Sequence, residues 1–210
     1  MKTLLQVNTS LFSTRGESSR LADQYVAQWR GANPQGRVIV RDVASQPIPH
    51  LTAERFLAFL AKPEERTDAQ REVAEFSDGL IAEIESADTI VLGLPMYNYG
   101  IPSTLKAYFD HVARAGKTFR YTEKGPQGLL RGKQVIVFAT RGGIHAGTPQ
   151  DTETSYVRDF LRFLGIEDVQ FIYAEGLAMG EAAKAESLKN AAIAIGAVTA
   201  RNDEAVAVAA

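Results

Sequence analysis

The residues of this chain best suited to chemistry are gathered in one turn. Met96, Tyr97, Asn98 and Tyr99 stand between Pro95 and Pro102, directly after the apolar run Thr89-Ile-Val-Leu-Gly-Leu94. Tyrosine faces and a methionine sulfur provide a flat apolar surface, while Asn98 and the backbone amides provide hydrogen bonds at its rim. Such a set suits a planar, partly polar ring, and a flavin is the first candidate. Two further loops carry matching chemistry. Residues 8–19 read Asn-Thr-Ser-Leu-Phe-Ser-Thr-Arg-Gly-Glu-Ser-Ser and run into a helix. Hydroxyls, a glycine and free N–H groups at the positive end of a helix make an anion cradle, suited to a terminal phosphate. Thr140, Arg141, Gly142, Gly143, Ile144 and His145 form the third loop, whose paired glycines would let backbone N–H groups approach a ring edge. Each loop also has a plainer reading, because hydroxyl-rich turns often only cap helices and glycine pairs often only turn the chain. Convergence of all three on one edge favours the chemical reading.

That convergence requires a particular arrangement of elements. Five short β-branched or apolar segments, at 3–7, 38–41, 89–94, 134–139 and 169–174, alternate with longer stretches of helical spacing, giving the order βαβαβαβαβα. The near-continuous apolar character of the third and fourth implies burial on both faces, as in interior strands of a parallel sheet. The fold class is therefore α/β, a doubly wound layer structure in which ligands bind outside the carboxyl ends of the strands. Ser18 or Ser19 is expected to cap a helix through Trp29, with Leu21, Tyr25 and Val26 at core spacing. A helix over 68–85 is expected to place Val73, Phe76, Leu80, Ile81 and Ile84 on one face. Another carries Val157, Phe160, Leu161 and Leu164 to a stop at Gly165, and a last one spans about 181–200. The crossover 43–87 is longer than one helix needs and contains Pro47, Pro49 and an extra helical stretch at 53–61. It reads as an embellishment near the cofactor edge that covers the sheet. The chain reads as one domain over 1–202, with a frayed end at 203–210.

Composition removes several classes of function. With 210 residues, 45% hydrophobic and 23% charged, the chain reads as an ordinary globular protein. A net charge of −2 provides no broad positive field for nucleic acid. The absence of cysteine excludes disulfides, thiolate nucleophiles and iron–sulfur clusters, so redox chemistry would need a bound organic cofactor. No signal peptide and no run of about 18 apolar residues is seen, making cytoplasmic residence without membrane insertion the expectation. No Gly-x-Gly-x-x-Gly follows the first strand, no P-loop occurs, and metal-ligand spacing is absent.

The motif Pro95-Met-Tyr-Asn-Tyr-Gly-Ile-Pro102, with Thr140-Arg-Gly-Gly143, Ser10, Gly16-Glu17-Ser18 and Thr118-Phe119-Arg120-Tyr121, resembles the FMN-dependent NADH-azoreductases, which belong with the flavodoxin-like NAD(P)H quinone reductases. The resemblance covers the whole chain. It implies a flavodoxin-like doubly wound, five-stranded parallel sheet with helices on both faces, and a homodimer with one FMN per subunit at the interface. Ser10, Gly16, Glu17 and Ser18 would hold phosphate and ribityl, and Glu17 would have to turn its carboxylate away. Met96, Tyr97, Asn98 and Tyr99 would line the ring, and Thr140, Arg141, Gly142 and Gly143 would meet its pyrimidine edge. NADH or NADPH would deliver hydride to flavin N5, and quinones or azo compounds would then take the electrons in ping-pong order. No protein nucleophile is required.

Three residues stand at the margin of this expectation. Phe119 and Tyr121 could wall the substrate pocket or serve as core or dimer contacts, and His145 could donate to flavin or substrate or be a hydrogen-bonded spectator. The alternative on the same topology is a flavodoxin-type single-electron carrier serving a protein partner. Against it stand the long second crossover and the absence of an acidic docking cluster near the loops. A phospho-accepting signalling domain would need carboxylates at the end of the first strand, where Asn8, Thr9 and Ser10 stand.

Overall fold

In the computed structural model, residues 1–209 are described, with side chains through Arg201; the frayed end expected at 203–210 lies outside the fully described residues. In chain order the elements are β1 (Thr3–Asn8), α1 (Glu17–Ala32), β2 (Arg37–Asp42), α2 (Ala53–Leu60), α3 (Asp68–Ser86), β3 (Thr89–Pro95), α4 (Ser103–Val112), β4 (Phe119–Thr122), β5 (Gly125–Gly128), β6 (Gln134–Thr140), α5 (Thr152–Leu164), β7 (Asp168–Ala174) and α6 (Glu181–Ala209). The main sheet has five parallel strands in the order β2-β1-β3-β6-β7. The chain steps one way from β1 to β2 and the other way to β3, so the crevice for a ligand opens where β1 and β3 finish.

Strand alternation sorts side chains into two cores, since successive residues face opposite sides of the sheet. Leu5, Val7, Ile90, Leu92, Val135 and Val137 face α3, α4 and α5, which contribute Leu80, Ile84, Leu105, Phe109, Val157 and Leu161. Leu4, Val91, Ile136, Phe138 and Ile172 face α1 and α6, where Leu21, Tyr25, Trp29, Ala191 and Ile195 are buried. Every residue of β3, and all of β6 after Gln134, is buried, as their unbroken apolar character requires. β2, at the sheet edge, is only partly covered.

Four local expectations change. Gly16, rather than Ser18 or Ser19, occupies the cap position of α1, with no side-chain cap; both serines lie within the first turn. Phe76 is 42% exposed, because α3 turns Ala74, Ser77, Leu80, Ile81 and Ile84 inward. α2 rests on α3 and α4 instead of covering the sheet: Phe59 meets His111 edge-on at 5.7 Å and takes the Arg114 guanidinium over its ring at 4.1 Å. Finally, residues 119–128 form an antiparallel hairpin that the sequence conceals, since Gly125, Pro126 and Gly128 give it no apolar alternation.

The hairpin is held by contacts with the end of α5. Leu130 N donates to Leu164 O at 2.9 Å, and Gly128 crosses Gly165 so closely that a Cβ on Gly128 would lie 2.0 Å from Gly165 N. Backbone on both sides leaves that carbon nowhere to go. Gly128→Ala is therefore expected to lower unfolding stability by about 3 kcal/mol, at the upper end of overpacking costs, as read by urea denaturation.

Candidate functional site

Three loops meet at the carboxyl edge, each built by its own local constraint. After β1, Thr9 Oγ1 donates to Gly93 O at 2.6 Å, tying the first loop to β3. Ser10 Oγ accepts from Phe12 N at 3.2 Å, and Ser13, at φ +52°, is held by its hydroxyl on the Asp42 carboxylate at the end of β2. The turn closes at Gly16, where a Cβ would stand 2.1 Å from Ser10 Oγ. Only glycine fits that approach. Because α1 has no side-chain cap, the N–H groups of Glu17, Ser18 and Ser19 have no acceptor among the described residues, and the buried hydroxyls of Ser18 and Ser19 are likewise unpartnered. Orphaned donors at the positive end of a 16-residue helix are the groups an anion would satisfy. The one carboxylate there, Glu17, turns aside to Lys184 Nζ of α6 at 2.8 Å.

The second loop is a tight turn. Tyr97 and Gly100 exchange two backbone hydrogen bonds of 3.0 Å, and the residues between them, Asn98 and Tyr99, have φ of +52° and +60°. Two central residues at positive φ define a type I′ turn. Asparagine tolerates that region, whereas Tyr99 is held there at a cost of about 1–2 kcal/mol. Two anchors hold it: Met96 N donates to Thr140 O at 3.0 Å, and the Thr152 hydroxyl of α5 donates to Tyr99 O. The Tyr97 hydroxyl accepts from Leu11 N at 3.2 Å and lies 3.4 Å from Ser10 Oγ, joining the first two loops.

The third loop is laced to the segment that follows β7. Arg141 O accepts from Leu177 N, Gly142 O from Ala178 N, and Gly143 O from Gly176 N, at 3.1, 3.0 and 2.9 Å. All peptides are trans, so the N–H groups of Gly142, Gly143 and Ile144 point away from residues 176–178, and among the described residues they find no acceptor. The His145 ring packs on Gly143 and meets the Tyr99 ring edge-on at 5.5 Å. Met96, Asn98, Tyr99, Gly142 and His145 line an open cavity of about 270 Å³ between the second and third loops.

The expected residues thus divide. Ser10, Gly16, Ser18 and the backbone at Glu17 form the anion end. Met96, Asn98, Tyr99, Gly142 and His145 surround the cavity, Gly143 packs behind the His145 ring, and Tyr97 and Thr140 hold the walls. Three are not brought there. Phe119 is buried 4.4 Å from the Phe163 ring, and Tyr121 is exposed on the hairpin; both sit by the end of α5 that leads into β7, opposite the edge where the strands finish. Arg141 is buried beneath its loop, with its own N–H donating to Ala174 O.

The Arg141 side chain reaches three carboxylates. Nη2 donates to Asp151 Oδ1 at 2.6 Å, Nη1 to Glu175 Oε1 at 3.1 Å, and Nε lies 3.5 Å from Glu153 Oε2. Burial is the largest single influence and opposes the charge on Arg141 and on Asp151, but their mutual hydrogen bond, their charge attraction and the further hydrogen bonds to Glu175 and Thr154 together outweigh it, raising the first pKa and lowering the second. Glu153 has no hydrogen bond to either oxygen, and burial pushes its carboxyl up to about 8 against the pull of Arg141. Asp151, Glu153 and Glu175 were not expected as site residues. The available signal was the loop following the last strand, since Glu175 and Gly176 end β7 on the same edge.

Comparison with known proteins identifies the family. The family described as having a flavodoxin-like fold matches residues 1–198, and the chain belongs to it. More particularly, it is 56% identical over 181 residues to an FMN-dependent NADH:quinone oxidoreductase of Cellvibrio japonicus, covering 86% of this chain and 91% of the relative. A protein of the same name from Alcanivorax borkumensis is 54% identical over 185 residues, covering 88% and 93%. Among solved structures, an FMN-dependent NADH-azoreductase from Bacillus anthracis in complex with FMN matches with a TM-score of 0.87 and 26% identity, covering 97% of this chain and 100% of that one.

The raised Glu153 pKa has a measurable consequence. Glu153 keeps its proton in the folded protein but loses it on unfolding between the ordinary carboxylate range and pH 8, so the wild-type chain should lose stability as pH rises through that window. Glu153→Gln removes the titration. Denaturant unfolding from pH 5 to 8 is expected to show the variant gaining on the wild type by up to ~1.4 kcal/mol per pH unit.

Proposed function

We propose that this chain is an FMN-dependent NAD(P)H oxidoreductase that reduces quinones and azo compounds, with residues 1–202 forming one flavin-binding unit in the cytoplasm. The observation that carries this reading is the uncapped start of α1, where three N–H groups and the Ser18 hydroxyl lack acceptors beside a turn that only Gly16 can make. A buried donor without a partner is costly, and a phosphate would satisfy these together. The ring cavity is joined to that anion end through Tyr97.

Ser10, Ser18 and the first-turn amides would hold phosphate and ribityl. Met96, Asn98 and Tyr99 would form one wall for the ring, and the Gly142 and Gly143 N–H groups would meet its pyrimidine edge. Arg141 acts from beneath, by fixing the loop. When bound, FMN would supply the redox chemistry, taking hydride from NADH or NADPH at N5 and passing two electrons to the acceptor in a ping-pong order. The protein's part is to orient the ring and to direct N–H groups at the edge where negative charge develops. No group of three or more side chains placed to hold a metal ion occurs among the described residues. No helix of these residues is long and apolar enough to cross a membrane.

A homodimer is supported by α2, where Phe56, Leu57 and Leu60 share one face and are 50, 57 and 61% exposed. Contiguous apolar side chains left in water mark a contact surface. Tyr121, exposed on the hairpin, is available to a partner subunit.

The decisive experiment is anaerobic stopped-flow. The flavin-loaded protein is expected to be bleached by NADH and then reoxidised in separate mixing by a quinone and by an azo dye. A chain that leaves gel filtration colourless after incubation with FMN would refute the reading. Within the site, Asn98→Ala removes both a rim amide and the residue that tolerates positive φ. It is expected to weaken FMN binding by about tenfold, roughly 1.4 kcal/mol, and His145→Ala by less; equal dissociation constants would contradict the loop assignment.

A further inference from the structure

Glu175 stands outside the loops discussed for ligand binding, yet one of its oxygens is the most heavily used acceptor in the site. Oε1 accepts from His145 N at 2.8 Å, Ala146 N at 2.9 Å and Arg141 Nη1 at 3.1 Å. The guanidinium that braces it cannot swing, because its other amino group is fixed on Asp151 and on Thr154 Oγ1 at 3.1 Å. We infer that Glu175 is a positioning residue for the ring site, its carboxylate fixing the turn at His145 and Ala146 and thereby setting the Gly142 and Gly143 amides and the His145 ring.

The argument follows the backbone. Residues 141–143 are pinned through their carbonyls to residues 176–178, which orients their peptide planes but leaves the far end of the loop untethered. The amides of residues 145 and 146 are the next along the chain to find an acceptor, and both end on Glu175. A charged acceptor makes each of those bonds stronger than a neutral one would. The His145 ring rests on Gly143 and closes the cavity against Tyr99, so its place is set by where residue 145 leaves the loop. Without the carboxylate, two amides lose their acceptor, and the wall they support loses its register. Arg141 would keep Asp151, so the fold retains a partner for its buried charge.

This inference rests on the flavin reading for its effect on the ring, and its test separates the two. Amide hydrogen exchange by NMR on the FMN-free protein examines the strut alone. Glu175→Ala is expected to accelerate exchange at residues 145 and 146 by at least about tenfold beyond any change in global stability. With FMN, the same variant should bind at least about tenfold more weakly and show a more negative flavin midpoint potential, since N–H donors at the pyrimidine edge favour the reduced, negatively charged ring. Glu175→Gln keeps an oxygen acceptor and is expected to restore slow exchange and bring FMN affinity to within about threefold of wild type, a rescue that a general packing role would not produce. Unchanged exchange at 145 and 146 in Glu175→Ala would overturn the inference. So would faster exchange with unaltered FMN affinity and midpoint potential. If the unsubstituted chain fails to bind FMN, the flavin reading falls, while the exchange comparison still decides whether Glu175 holds the turn.

Discussion

A guanidinium with no exposure to water must find its counter-charges inside the protein, because breaking a buried pair costs about 3–5 kcal/mol. Arg141 finds them at the N-terminus of α5 and just beyond β7, and so joins three parts of the carboxyl edge at a single cation. The third loop hangs directly from it. The second loop hangs from the same neighbourhood, through Thr140 O of β6 and the Thr152 hydroxyl of α5. The first loop is clasped to the second by the Tyr97 hydroxyl. The second and third loops therefore trace back to one largely buried charged cluster, and the first is tied to them through Tyr97.

The strands were readable because their burial is written in their composition. β3 and β6 are interior, and their sequences are apolar throughout; the edge strand β2 mixes Arg37, Arg41 and Asp42 with valines. Less was readable where local sequence does not decide the outcome. The hairpin at 119–128 owes its existence to a backbone crossing with Gly165, a contact far away in the chain. α2 has an apolar face, but whether it meets sheet or helix depends on Phe59 meeting His111 and Arg114, more than 50 residues further along the chain.

The site divides along the same line. Residues that present themselves to a ligand belong to short motifs and could be named from spacing: the turn at 96–99, the glycine pair, the serines before α1. Residues that support them could not, since Asp151, Glu153 and Glu175 gain their roles only when β6, α5 and β7 are side by side. Arg141 shows the difference most plainly. Its place in the motif suggested a ligand contact, whereas burial turned its side chain inward and gave it a supporting role. Ser18 or Ser19 was also expected to cap α1, a place that Gly16 takes, and both hydroxyls are left buried without a partner.

The charge arrangement at α1 carries the same economy. Glu17 occupies the first helical position, where a carboxylate favours the helix dipole, and Lys184 draws that carboxylate toward α6.

Tyr99 brings a last consequence. At φ +60° a glycine would relax the turn, yet it would also restore backbone freedom to a segment now confined between Gly100 and α5 and would delete the ring that meets His145. The chain keeps a bulky aromatic in a conformation that disfavours it, so the cleft takes its shape from the protein's own backbone and rings. Stability has been given up locally for pre-organisation, and a search for more heat-resistant versions of this protein should be drawn to position 99 and should find them less capable there.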